Sequence, residues 1–176
     1  VLGPGVEPLG RVLRGGGNNG HDATEGARQG DVVGTYLHGP VLARNPALDP
    51  AAVGDVVFGN GNGAGEENRN VARMAALLAG LPTSVPGVTV NRLCGSGLEA
   101  VVQAGRAIAL GELSLAVAGG VESMSRAPWV LPKPERPYAK GDAELASTTL
   151  GWRLVNPAMP AEWTVSLGEG AEILAD

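Results

Sequence analysis

The chain has one cysteine, Cys94, in 176 residues. A single thiol cannot close an internal disulfide, so no disulfide framework holds the fold, and a reducing, cytoplasmic setting is expected. Aromatic residues make up only 3%. That is too few for the stacking platforms that hold single-stranded nucleic acids. Basic residues are not in excess: 13 Lys and Arg stand against 18 Asp and Glu, a net charge of −5. The pI is near 5.0. This balance argues against a nucleic-acid partner. No apolar run approaches the roughly 20 residues of a membrane-spanning helix, so no membrane partner is expected. The first residues lack the basic-then-apolar pattern of a secretory signal. The chain opens on Val1, not Met, which fits a fragment or a processed product.

What is present is globular. Hydrophobic residues make 44%, charged residues 18%, and 28 glycines point to tight turns and close backbone packing. The length suits one domain with a core of ordinary size. From about Asp49 the pattern becomes regular. Ala47 to Val53 predicts a short helix, with Asp49 as cap and Pro50 in its first turn. Asp55 to Phe58 is a short strand. Gly59 to Glu67 is a polar, glycine-rich loop, but no Gly-Lys-Ser/Thr follows, so it is not a phosphate loop. Asn70 to Ala79 is helical by period, with Val71, Met74, Ala75 and Leu78 predicted on the inner face, and Gly80-Leu81-Pro82 stops it. Val88 to Val90 is a strand. Leu98 to Leu110 is a second helix, with Leu98, Val101, Val102, Gly105, Ile108 and Ala109 as its predicted apolar stripe and Gly111 at its end. Leu113 to Ala118 is a further strand. Strands alternating with helices of this length predict βαβ units and a parallel sheet, an α/β fold.

Cys94 lies between the strand at 88–90 and the helix from 98, in Asn91-Arg92-Leu93-Cys94-Gly95-Ser96-Gly97. A thiol there meets the free N–H groups and positive dipole end of a helix N-terminus, which favour the nucleophilic thiolate. Gly95, Ser96 and Gly97 keep bulk away from the sulfur, so that an acyl group and a neighbouring backbone can come close. A lone cysteine is more often a small buried hydrophobe. On residue type and position alone the two readings stand about even.

Resemblance decides between them. Asn91 to Val101 resembles the nucleophile motif of the thiolases, and Gly119-Gly120-Val121-Glu122-Ser123-Met124-Ser125 resembles their second N-terminal signature. The match extends over about residues 47–176. It implies that Cys94 is acylated by a 3-ketoacyl-CoA or acetyl-CoA, with its own backbone N–H helping to hold the oxyanion. It implies coenzyme A and acyl-CoA as substrates and partners, no permanently bound cofactor, no metal, and a homo-oligomer, dimer or tetramer, for a complete member. The implied fold has two similar βαβαβαββ halves with a loop domain inserted in the first. Residues 49–125 would be part of the first half, and 126–176 the start of the loop domain. In the latter, Pro128, Pro132, Pro134 and Pro137 rule out a continuous element. Lys133, Arg136 and Lys140 are basic and suited to phosphates. Thr148 to Pro157 resembles the β-ketoadipyl-CoA thiolase branch, and Leu167 to Glu172 the family's Met-Gly-x-Thr-Ala-Glu helix start. The family's Asn-Glu motif, Gly-His-Pro motif and second cysteine belong to a C-terminal half that these residues do not contain. Glu122 is expected to be a buried, hydrogen-bonded structural carboxylate.

Residues 1–48 read differently. They are glycine-dense, with one β-type run, Asp31 to Leu37, ending in His38-Gly39-Pro40. Together with Gly17-Asn18-Asn19-Gly20 and Asn45-Pro46, they resemble the C-terminal end of a glutamine amidotransferase domain of the cobyric acid synthase type. That resemblance implies His38 as the base of a cysteine–histidine couple. Nothing upstream supplies the cysteine, so no amidotransferase reaction is expected. The sequence supports a thiolase-family acyltransferase, truncated, with a join near residues 43–49. The alternatives are a non-catalytic chimeric fragment that only associates, and an amidotransferase remnant.

Overall fold

In a computed structural model, residues 47–138 and 140–175 are described throughout, and before them only four short strands. These four are β1 (Gly10–Arg11), β2 (Thr24–Glu25), β3 (Ala27–Gln29) and β4 (Val32–Gly34), with β1 antiparallel to β2 and β3 antiparallel to β4. The β-type run predicted at 31–37 thus contains a strand. His38 lies outside the described residues.

A one-turn 3-10 helix, Pro50–Ala52, leads into the main sheet, and the Asp49 side chain caps it by accepting from the Ala51 N–H at 2.9 Å. The sheet has three strands, β5 (Asp55–Gly59), β6 (Gly87–Val90) and β7 (Ala116–Gly120), in the order β6-β5-β7, all parallel. Helix α1 (Val71–Leu78) connects β5 to β6, and helix α2 (Ser96–Ala109) connects β6 to β7. The first connection moves to one side of β5 and the second crosses back to the other. Right-handed crossovers in opposite directions place the two helices on opposite faces. The two cores confirm it. Val56 packs with Ala72 and Ala76 of α1 on one face, and Val57 with Ala100 and Ala104 of α2 on the other. Both valines are buried because a central parallel strand is covered on both faces.

Each helix ends as its sequence dictates. Asn70 caps α1, its Oδ1 accepting from the Arg73 N–H at 3.2 Å. Its Nδ2 donates to the Gly87 carbonyl at 2.9 Å, so the cap also ties the helix to β6. Gly80 (φ +82°) and Gly111 (φ +74°) take the left-handed conformation just past the two helix ends, where a side chain would be strained.

The buried stripes are not the predicted ones. In α1 the buried residues are Ala72 and Ala76, while Met74, Leu77 and Leu78 face out. In α2 they are Ser96, Ala100 and Ala104, while Leu98 is 71% exposed and Val101 is also exposed. The reason is close backbone packing. A Cβ on Gly87 would lie 2.8 Å from the Arg73 backbone, and one on Gly59 would fall onto the Ser96 and Gly97 backbone. Helices this near a sheet have room only for alanine and serine beneath them. β7 also starts later than predicted, at Ala116.

Beyond β7 the chain turns through a 3-10 helix, Met124–Arg126, and forms a short antiparallel pair, β8 (Trp129–Val130) with β9 (Ala146–Ser147). Another 3-10 turn, Ala161–Trp163, precedes helix α3 (Leu167–Ala175). The prolines do break this region into short pieces, and the helix start expected at Leu167 is present.

Candidate active site

In an open parallel sheet, ligands bind beyond the carboxyl ends of the strands, where neighbouring connections leave for opposite faces. Here that point lies between β5 and β6. A cavity of about 640 Å³ opens there, lined by the loops that follow all three strands: Gly59 to Asn62, Leu93 to Gly97, and Gly120 to Glu122. Met124, Ala127, Thr148, Thr149 and Arg153 also line it.

Cys94 lines this cavity and its thiol is free and exposed. It sits on a sharp bend between β6 and α2. The residue before it, Leu93, holds φ at +50°, a left-handed conformation unfavourable for a leucine. Local hydrogen bonds hold the bend. The Leu93 N–H donates to Asn91 Oδ1 at 2.8 Å, Ser96 Oγ donates to the Leu93 carbonyl at 2.6 Å, and the Arg92 N–H donates to Ser96 Oγ at 2.9 Å. Asn91 Nδ2 donates to the Gly61 carbonyl at 3.0 Å, which links the bend to the loop after β5. Arg92 Nε and Glu99 Oε2 pair at 2.8 Å across the first turn of α2, and Gln103 donates to the other Glu99 oxygen at 3.0 Å.

Glycine decides how near the bend comes to the sheet. Gly59 lies against the backbone of Ser96 and Gly97, and a Cβ on Gly120 would be 2.9 Å from the Gly59 carbonyl oxygen. A Cβ on Gly97 would meet nothing within 4 Å, so this residue, which lines the same cavity as Cys94, faces open space. Ser96 has a role that its small size alone did not suggest: it is buried and its hydroxyl ties the bend.

Polar groups fix the opposite wall. Glu122 accepts from the Gly61 N–H at 2.6 Å and from the Asn62 N–H at 2.9 Å. It is hydrogen-bonded as expected but exposed, not buried. Among the described residues the buried carboxylate is Glu67, which accepts from the Ser123 N–H at 3.0 Å. Asn60, also buried, donates to the Val121 carbonyl at 2.7 Å. Asn62 Nδ2 reaches the carbonyl and Oγ1 of buried Thr148, each at 3.1 Å, and so draws the segment after β9 over the cavity. Arg126 pairs with Glu66 at 2.5 Å, and that carboxylate holds the guanidinium above its ordinary value. The pair is exposed and contributes little to stability.

The thiolase N-terminal domain family matches residues 26–159. The chain belongs to the thiolase family. It is 52% identical over 155 residues to the β-ketoadipyl-CoA thiolase of Pseudomonas putida, and equally to the 3-oxoadipyl-CoA/3-oxo-5,6-dehydrosuberyl-CoA thiolase of Escherichia coli K12. Each match covers 88% of this chain and 38% of the relative. Among solved structures, the acetyl-CoA acetyltransferase of Bacillus anthracis aligns with a TM-score of 0.63 at 33% identity, over 77% of this chain and 34% of that one. This thiolase chain thus spans well under half the length of the relatives it matches.

The amidotransferase resemblance finds no support. The thiolase N-terminal domain match begins at residue 26, inside the segment that had suggested it. The basic residues proposed for phosphate contact, Lys133, Arg136 and Lys140, are exposed and none lines the thiolase cavity. The cation that does line it, Arg153, was not singled out by the sequence. Neither was the Asn62–Thr148 tie. Asn62 sits in a loop with no periodicity, and its partner lies 86 residues away. Among the described residues no cluster of metal-ligating side chains is present, and no helix is long and apolar enough to cross a membrane.

Proposed function

We propose that Cys94 is the acyl-accepting nucleophile of a thiolase acyltransferase acting on 3-ketoacyl-CoA. The observation that carries this reading is its place: a free, exposed thiol on a strained bend, at the mouth of a cavity built from the carboxyl ends of three parallel strands. The Cys94 thiolate adds to the C3 ketone, and the backbone N–H of Cys94 serves the resulting oxyanion. The C2–C3 bond then breaks. Its electron pair goes to C2, which takes up the proton that the thiol released, and acetyl-CoA leaves. The acyl group stays on Cys94 as a thioester until the thiol of a second CoA takes it and the cysteine regains its proton. No resident cofactor or metal enters the reaction, which needs only acyl-CoA and CoA. Proton transfers of this kind contribute about 10²–10⁴-fold in a complete enzyme. A cytoplasmic setting suits a chain whose only cysteine is an exposed thiol.

The relatives named for β-ketoadipyl-CoA support an acyl chain of that type. The exposed apolar side chains of α1 and α2, including Leu98, Val101 and Leu78, support further protein covering these helices in a working assembly, including a dimer or tetramer. A second reading, that this chain only associates, rests on the same exposed faces. One experiment separates them. The chain is incubated with a 3-ketoacyl-CoA or acetyl-CoA and its intact mass is measured beside Cys94→Ala. An acyl adduct confined to the wild type supports the acyltransferase. A thiol that a general alkylating agent labels but no acyl-CoA acylates supports the associating fragment.

A further inference from the structure

Arg153 is the one cationic side chain among the described residues lining the Cys94 cavity. It is half-buried, and the ion pairs among the described residues are Arg92–Glu99 and Arg126–Glu66. Its recorded hydrogen bond, from Nη1 to the Gly151 carbonyl, is long at 3.5 Å. The one carboxylate among the described lining residues, Glu122, directs both oxygens at the N–H groups of Gly61 and Asn62. Among the described residues the guanidinium therefore has no anion of its own, and its donors are open to a bound one. The residue after it, Leu154, holds φ at +50°, the same left-handed value as Leu93 beside Cys94.

We infer that Arg153 recognises a carboxylate at the far end of the acyl chain and so selects dicarboxylic 3-ketoacyl-CoA substrates over neutral ones. A planar guanidinium matches a carboxylate with two parallel hydrogen bonds, which adds direction as well as attraction. A chain ending in methyl leaves Arg153 without that partner. The discrimination follows from the unpaired group and not from pocket size. This inference rests on the acyltransferase reading of Cys94. The phosphates of CoA carry the same type of negative charge, but every acyl-CoA has them, so they cannot discriminate between acyl chains.

The test is the rate of Cys94 acylation, followed by intact mass, with 3-oxoadipyl-CoA and with 3-oxohexanoyl-CoA, a chain of equal length without the carboxylate. The wild type should prefer the dicarboxylic substrate by roughly ten- to a hundredfold, the range of a hydrogen-bonded charge pair. In Arg153→Met the ratio should fall toward one, and Arg153→Lys should restore part of it. A wild-type ratio near one overturns the inference, and this arm needs no variant to fold. A ratio that survives in Arg153→Met while both rates drop together overturns it too, and assigns the guanidinium to the CoA phosphates or to the fold. If neither substrate acylates a Cys94 that still alkylates, the acyltransferase reading itself has failed and the inference falls with it. Acylation by the neutral substrate alone refutes only the role of Arg153.

Discussion

Replacing Gly59 with alanine is the sharpest test of how the nucleophile is held. The added Cβ would lie 2.5 Å from the Ser96 carbonyl oxygen and closer still to the Ser96 carbonyl carbon and the Gly97 nitrogen. Non-bonded heavy atoms settle near 3.5 Å, so α2 must retreat by about 1 Å. The obstacle is backbone on both sides, and no rotamer change relieves it. Overpacking of this kind costs about 1–3 kcal/mol, and a clash with rigid backbone belongs at the upper end. The sign is informative. Gly59 is not in the left-handed region, and alanine in an unobstructed strand position would be favoured over glycine by roughly 0.5–1 kcal/mol. A net loss of about 2 kcal/mol should lower the urea midpoint by about 1 M for a chain of this size. Because Cys94 lies two residues before α2, the displacement should also slow Cys94 acylation. Urea unfolding followed by circular dichroism reads the first effect, and intact mass the second. A Gly59→Ala variant as stable as the wild type, with an unchanged acylation rate, would refute the close-packing argument.

Other substitutions separate the remaining contributions. Gly105→Ala, in the middle of α2 with nothing within 4 Å of the new Cβ, should stabilise by about 0.8–1 kcal/mol and raise the urea midpoint. Leu93→Gly removes the left-handed strain and little burial, so stability should change by no more than about 1 kcal/mol. Its looser bend should nonetheless slow acylation of Cys94 measured at a fixed acyl-CoA concentration. Asn62→Ala removes both hydrogen bonds to Thr148 and should cost about 1–2 kcal/mol. Hydrogen exchange should then speed up at residues 146–149 and stay unchanged in β5.

The order of elements was legible because local rules set it. Asn70 and Asp49 cap where they should, Gly80 and Gly111 end the helices, and a β-rich run before each helix gives the parallel sheet. The placement of Cys94 between β6 and α2 followed from the same pattern. The helix faces were misread for one physical reason. Period analysis assigns the largest apolar side chains to the inside, but Gly59 and Gly87 bring the helices so near the sheet that only Ala72, Ala76, Ala100 and Ala104 fit. Long-range polar ties were not legible either. Asn62 with Thr148 and Glu67 with Ser123 join loops 86 and 56 residues apart, and nothing in either loop marks its partner. Arg153 was hidden in the same way, since its role depends on a wall that only folding assembles.

Alanine beneath both helices has a consequence for how this chain tolerates change. In most domains the bulkiest interior residues are the ones that cannot be altered. Here the intolerant positions are the smallest ones: Gly59, Gly87 and Gly120, where one added methyl meets backbone, and the fully buried Ala72 and Ala100. The leucines at 78 and 98 stand free of the interior and can be exchanged without disturbing it. A scan of every position should therefore show steep penalties at Gly59, Gly87 and Gly120, while Gly97 and Gly105, which have open space around them, accept alanine.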